Sequence, residues 1–266
     1  MSLSKPARIA LAAVMALGLA VIYVPLLLVL VNSVNTSRTF GWPPSGFTLD
    51  WWRDAAGNPD VRDAVRTSVV VGLGATAVAL VLGTMAAFAV SRYRFFGRDT
   101  VSFVLVLPIA LPGIVTGIAL SSAFTAGGVT PGYLTVVIGH ATFCVVVVYN
   151  NAVARLRRTG TSLEDASMDL GADTFRTFRF VTMPQLRSAL LAGGLLAFAL
   201  SFDEIVVTTF TIAPGMKTLP IWVFENLFRP NAAPVVNVVA AALIVLSVLP
   251  IWAAQRLSGD TTGGRL

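Results

Sequence analysis

SLEDASMDLGADTFRTFRFVTMP, residues 162–184, is the longest polar interval between hydrophobic runs after residue 100. It carries the signals of two short helices meeting at Gly171. Ser162 and Asp165 form an S-x-x-D pattern, in which the hydroxyl accepts from the amide three residues on and the carboxylate reaches back. Glu164, Asp165 and Asp169 place negative charge in this first helix, and the first two complement its positive end. Gly171 supplies a left-handed turn that stops it. Asp173 then caps a second helix, with Phe175 and Phe178 on one face and Arg176 and Arg179 opposite. Pro184 marks the start of the next apolar run. An ordered polar helix pair in so apolar a chain points to contact with another protein. An amphipathic segment resting on the lipid surface is the plainer alternative.

Around this interval the chain is 56% hydrophobic and 12% charged, with 266 residues in all. That much apolar surface has to face lipid or other apolar helices. Six runs are long enough to cross a bilayer core of about 30 Å as helices. They are residues 9–31, 68–90, 101–124, 133–153, 186–212 and 234–254. A closed barrel would show short alternating strands instead. The expected fold is therefore all-α and membrane-integral, with six transmembrane helices.

The net charge of +6 is a matter of topology. Thirteen Lys and Arg lie on segments that share a side with the N-terminus, among them Arg92, Arg155, Arg157, Arg158, Arg176 and Arg179. Six lie on the other side, namely Arg38, Arg53, Arg62, Arg66, Lys217 and Arg229. The bias places both termini in the cytoplasm by the positive-inside rule, and it removes the reason to expect a nucleic-acid surface. The first run is too long for a signal peptide core and lacks a small-residue cleavage site, so it reads as an uncleaved span. The single Cys144 excludes an intrachain disulfide and reads as a small packing residue.

Between the first two runs, Trp51 and Trp52 suit a short surface helix at the membrane–water interface. The third run contains LPIALPG, where Pro108 and Pro112 each remove a backbone donor. The outcome is either a packing kink or a pore-lining bend. His140, alone in the fourth run, reads as a helix–helix hydrogen-bonding residue. No nucleotide-binding loop, HExxH, CxxC or GxSxG occurs, so neither catalytic residues nor a metal site is expected.

Spacing makes the polar interval more specific. It resembles the EAA loop of ABC importer permeases: EAA, three residues, Gly, nine residues, Ile, one residue, Leu-Pro. Here the pattern falls on Asp165, Ala166, Ser167, Gly171, Val181, Met183 and Pro184. LPGIVTGIAL, VVVVYNNAVARLRR and SFDEIVVTTFT followed by TLPIWVFENLFRP resemble the spermidine/putrescine group of these permeases, and its second permease subunit in particular. The resemblance covers roughly residues 60–256. It implies a type I importer (MetI-like) fold in the bacterial inner membrane. A first span and outer loop (1–62) would precede a five-span core (63–256) with the coupling loop at about 155–185, and a cytoplasmic tail (257–266) would follow. The implied partners are a second permease in a heterodimer, a dimer of ATP-binding subunits and an extracytoplasmic substrate-binding protein. ATP and Mg²⁺ would belong to the ATPase, and this chain would hold no cofactor. The loop would insert a coupling helix, about residues 163–170, into the ATPase, with Glu164, Asp165, Ala166, Ser167, Gly171 and Pro184 carrying the contact. A stand-alone channel or secondary transporter would have no use for such a loop.

Asp203 and Glu204 are the only carboxylates inside an expected span. On one continuous helix Asp203 would lie about 24 Å from Arg187 and about 16 Å from Pro214. The two neighbours would point about 100° apart. Intramembrane carboxylates face a cavity or a partner, because burying a bare charge costs on the order of 3 kcal/mol or more. Either they meet substrate or they pair with the partner permease. Polyamine ammonium groups suit carboxylates with aromatic walls. Phe202, Phe210, Trp222 and Phe224 are candidate walls, and Pro112 lines the same pathway. Some polyamine permeases carry an acid directly after that proline, where this chain has Gly113. The same machinery could carry another cationic solute such as ferric iron or thiamine.

Overall fold

The computed structural model describes residues 4–39, 42–229 and 231–259, with side chains as far as residue 247. Among them the backbone is helical throughout, apart from turns and one isolated antiparallel bridge between Asn35 and Phe47. The tail expected from residue 257 lies, from residue 260 onward, outside the described residues.

The chain divides into two compact units, Met1–Arg62 with Val223–Leu266, and Asp63–Trp222. In the first, α1 (Lys5–Asn32) is apolar all round, and of its residues only Asn32 is buried. Such a helix suits lipid or a covering partner. A loop leads to α2 (Asp50–Gly57), the surface helix expected around Trp51 and Trp52. Trp51 is tied back through Nε1–H to the carbonyl of Asn35 at 2.9 Å. Both α1 and α2 pack on the last helix of the chain, Ala233–Gly259.

The second unit begins within α3 (Pro59–Arg92) and continues through α4 (Arg98–Ala110), α5 (Gly113–Ala126) and α6 (Tyr133–Thr159). Then come α7 (Ser162–Asp169), α8 (Thr174–Thr177), a π-helical turn (Phe178–Thr182), α9 (Met183–Phe202), α10 (Val206–Thr211) and the start of α11 (Leu219–Asn226). The last helix of the chain is accordingly α12. Helix α6 is the spine, and most of its apolar length is buried. Lipid tails are as apolar as leucine, so helices associate in a bilayer by close contact of small residues. That is the construction here. A Cβ added to Gly193 of α9 would lie 3.3 Å from the Val148 Cα, and one on Gly83 of α3 would lie 2.9 Å from the Val145 carbonyl oxygen. Two helices thus press on one turn of α6. Ala75, Ala79, Ala87, Ala152 and Ala197 fill the remaining core around Leu156, Leu186 and Leu190.

Four described helices are long and apolar enough to span a membrane: Lys5–Asn32, Pro59–Arg92, Tyr133–Thr159 and Thr174–Phe202. A fifth span arises if the bent pair α4 and α5 is taken as one. In α12 the described apolar stretch is Ala233–Ser247.

Two of the apolar runs are broken, one of them at the prolines where a kink or bend is expected. Helices α4 and α5 meet at 107°. The break falls at Pro112, which lacks an N–H and holds Leu111 extended at φ −80°, ψ 141°. Pro108 is accommodated inside α4. The second break corrects the sequence reading. The run 186–212 is not one helix: α9 stops at Phe202, and α10 restarts at Val206. Axial distances computed through Asp203 to Pro214, and the 100° angle between the two acids, therefore do not apply.

Candidate functional site

The polar interval folds as two short helices about Gly171, whose φ of +86° is the left-handed turn that favours glycine. Asp173 caps α8, its Oδ1 accepting from the Arg176 N–H at 2.7 Å. The expected Ser162 cap does not form. The N-cap position belongs to Thr161, whose side chain makes no capping bond, and Ser162 already lies inside α7. Nor does the second helix continue far enough to present Phe175 and Phe178 together. It lasts one turn before the π turn, where Phe178 packs edge-on against Phe88 at 5.3 Å while Phe175 stays exposed.

Around α7 the expected coupling residues separate into two groups. Asp165 and Ala166 are exposed, as are Leu163 and Met168, and Leu170 at the helix end is 90% exposed. Glu164 turns the other way, is buried, and pairs with Arg92 at 2.7 Å. Ser167 hydrogen-bonds Thr177 across the turn at 3.1 Å, and Pro184 is exposed in the first turn of α9.

The second cluster lies where the two breaks meet. A Cβ on Gly113, the first residue of α5, would be 3.5 Å from the Val206 Cβ at the start of α10. One helical turn further on, Gly117 faces Phe210. Equal steps on both helices mean that α5 and α10 run side by side in the same direction. Against α6 the sense reverses: Gly139 meets Val207, whereas Thr135 donates to the Thr211 carbonyl at 2.7 Å.

Asp203 closes α9 as its C-cap and is exposed. Glu204 follows, half-buried, and its Oε1 accepts from the Val207 N–H at 2.8 Å. Asp203 therefore sits at the C-terminal end of a 20-residue helix, where unpaired carbonyls add negative potential, while the Glu204 carboxylate caps the first turn of α10. A helix end with two acids can hold a cationic group.

His140 of α6 bridges this break. Its Nδ1 lies 2.7 Å from Ser201 Oγ on α9, and its Nε2 lies 2.8 Å from Thr208 Oγ1 on α10. The Thr208 hydroxyl donates to the Glu204 carbonyl at 2.8 Å. Each ring nitrogen thus holds a hydroxyl from a different half-helix. The ring staples the two half-helices, as expected of a helix–helix hydrogen-bonding residue. Cys144 is likewise a packing residue, buried with Sγ 3.3 Å from the Ala197 carbonyl.

Pro112, directly before Gly113, therefore comes beside the start of α10. Phe202 stacks obliquely on Phe198 at 5.7 Å. Trp222 is buried within α11, whose first amide, at Leu219, donates to Ser68 Oγ of α3 at 2.8 Å. Phe224 belongs to the other unit, where it is exposed. Sequence reading missed Arg92 and Thr182 as partners of Glu164. It also missed Thr116, whose Oγ1 is buried without a hydrogen-bond partner in the first turn of α5. The one available signal was polarity inside an apolar run, which all hydroxyl residues of these helices share.

Residues 79–262 match the family described as binding-protein-dependent transport system inner membrane component. The spermidine/putrescine transport system permease protein PotC of Escherichia coli (strain K12) is 33% identical, over 92% of this chain and 92% of that one. The putrescine transport system permease protein PotI of the same strain is 32% identical, over 87% of this chain and 84% of that one. Among solved structures, a bacterial ABC transporter involved in the import of the acidic polysaccharide alginate superposes with a TM-score of 0.72. That match covers 98% of this chain and 99% of the other at 16% identity, so it speaks to the fold alone.

Proposed function

Because the chain belongs to the family of binding-protein-dependent transport system inner membrane components, we propose that it is a permease subunit of an ATP-driven importer of polyamines. The observation that carries this reading is the acidic break at Asp203 and Glu204, just ahead of the point where the start of α10 packs on the start of α5. The relatives named for spermidine and putrescine support the cargo. A polyamine presents ammonium groups on a thin apolar chain. Asp203 and the carbonyl end of α9 attract the ammonium, and the bare edge of Gly113 leaves α5 and α10 in close register beside it.

In this reading six spans cross the bacterial inner membrane with both termini inside, following the distribution of Lys and Arg. The core spans fall within residues 63–256. A second permease completes the pathway, and an extracytoplasmic binding protein delivers substrate. ATP with Mg²⁺ binds to the partner ATPase dimer, which closes and displaces α7 through Asp165, Ala166 and the exposed apolar side chains around them. Alternating access follows as the spans rock about the breaks. The chain itself performs no chemistry.

The test is Asp203→Asn and Glu204→Gln in the assembled transporter, with uptake of labelled spermidine and putrescine into vesicles. Uptake falls roughly tenfold or more, as loss of a charge contact with the bound cation requires. Unchanged uptake together with unchanged substrate-stimulated ATP hydrolysis would remove the pair from the pathway.

A further inference from the structure

Four helix ends meet around the ion pair of Glu164 and Arg92. Arg92, the last residue of α3, donates from Nε to Oε2 at 2.7 Å and from Nη2 to Oε1 at 3.0 Å. The same guanidinium donates to the Gly160 carbonyl just beyond α6 at 2.8 Å and reaches the Leu156 carbonyl of α6 at 3.5 Å. Thr182, which closes the π turn ahead of α9, donates its hydroxyl to Glu164 Oε1 at 2.9 Å. Three donors thus converge on two oxygens. Both side chains of the ion pair are only 11% exposed.

The backbone alone would hold α7 loosely. On either side stand Gly160 and Gly171, with φ of +63° and +86° and open space where a Cβ would be. Gly160 leads out of α6 and Gly171 leads into α8, so both tethers pass through glycine. The Ser167–Thr177 bond ties α7 to α8 within the same loop. What fastens α7 to the long helices is the Glu164 cluster.

We propose that Glu164 is a positioning residue and not an ATPase contact: it locks α7 to the ends of α3, α6 and α9, so that displacement of the exposed face of α7 reaches three membrane helices together. This rests on reading α7 as the docking element of an ATPase. The physical reason is the cost of opening the cluster. Separating a desolvated ion pair leaves each charge uncompensated, so the pair behaves as a stiff link where exposed pairs would slip. Asp165, one residue on and exposed, is left to meet the partner.

The experiment uses the complete complex in proteoliposomes with spermidine-loaded binding protein. Three quantities are read: copurification of the ATPase subunit, basal ATP hydrolysis, and its stimulation by the loaded binding protein. In Glu164→Gln and Arg92→Gln the ATPase subunit stays bound and basal hydrolysis persists, while stimulation and uptake fall roughly tenfold. A purely structural staple would lower the amount of complex and leave stimulation per complex unchanged. Loss of the ATPase subunit in Glu164→Gln but not in Arg92→Gln overturns the proposal, because Glu164 is then a docking contact. Full stimulation in both variants overturns it too. If neither variant accumulates, Thr182→Val decides, since it removes one neutral donor: stimulation falls about two- to threefold, and unchanged stimulation overturns the lock. A wild-type complex that binds no ATPase or is not stimulated fails before any variant is compared. That outcome counts against the transport reading, not against the cluster.

Discussion

Gly117 sets its bare α-carbon against Phe210, so close that a Cβ there would lie 2.5 Å from the ring Cδ2. With Gly113 against Val206 one turn earlier, the contact fixes α5 and α10 as a parallel pair. Each begins directly after a break in the helix before it, so the two breaks are mechanically one.

Replacing Gly117 therefore acts on both breaks. Gly117→Leu forces the Phe210 ring aside, an overpacking cost of about 1–3 kcal/mol. The purified complex melts at a lower temperature and uptake falls. Adding Phe210→Leu returns much of the stability, because the second change vacates the space the first one needs. A double variant no more stable than Gly117→Leu alone would show that the contact is not what the substitution disturbs.

The staple at His140 is expected to be structural and specific in geometry. His140→Ala leaves Ser201 Oγ and Thr208 Oγ1 buried without the ring, at about 1–3 kcal/mol. Thermal stability of the complex falls accordingly. His140→Phe keeps the volume and loses both bonds, so it does no better than Ala. Asparagine or glutamine at this position recovers stability only if its amide spans both hydroxyls, a point for direct comparison of melting temperatures.

Gly171 is under a conformational constraint and no spatial one, since nothing lies within 4 Å of a Cβ placed there. Gly171→Ala pays about 1–2 kcal/mol for the left-handed backbone, and Gly171→Asn pays less. The order of stimulated ATP hydrolysis is Gly, then Asn, then Ala. Equal losses for Asn and Ala would place the requirement on the absence of any side chain.

Cys144 is inert in the folded protein. It is fully buried, and its Sγ rests on the Ala197 carbonyl. A maleimide leaves the native complex unlabelled in detergent and labels it stoichiometrically in denaturant. Labelling of the native complex would reveal opening between α6 and α9.

The parts of this architecture that were legible in sequence are those written in local chemistry. Pro112 announces its break because a missing N–H and a restricted predecessor act on the adjacent residue. Gly171 and Asp173 announce the turn and cap for the same reason. The break at Asp203 carries no proline or glycine, and Ile205–Val206–Val207 reads as continuous apolar helix. Only the bridging of Ser201 and Thr208 by His140, 61 and 68 residues away in sequence, shows how it is held. Glu164 likewise looked like one of several acids on a polar helix, since its partner Arg92 is 72 residues distant. At Ser162 local chemistry misled, because the helix starts one residue earlier than the S-x-x-D pattern requires.

The π turn at residues 178–182 determines how far such a sequence can change. Its closing bond runs from the Met183 N–H to the Phe178 carbonyl, one residue longer than an α turn. Beyond it, Leu186, Leu190, Gly193, Ala197 and Ser201 form one buried stripe along α9, continuing from buried Thr182. Removing a single residue within the turn would rotate everything after it by about 100° against α7. Thr182 would then lose its alignment with Glu164, or Ser201 its alignment with His140. In this segment side chains are exchangeable to a degree, but the number of residues is fixed by phase.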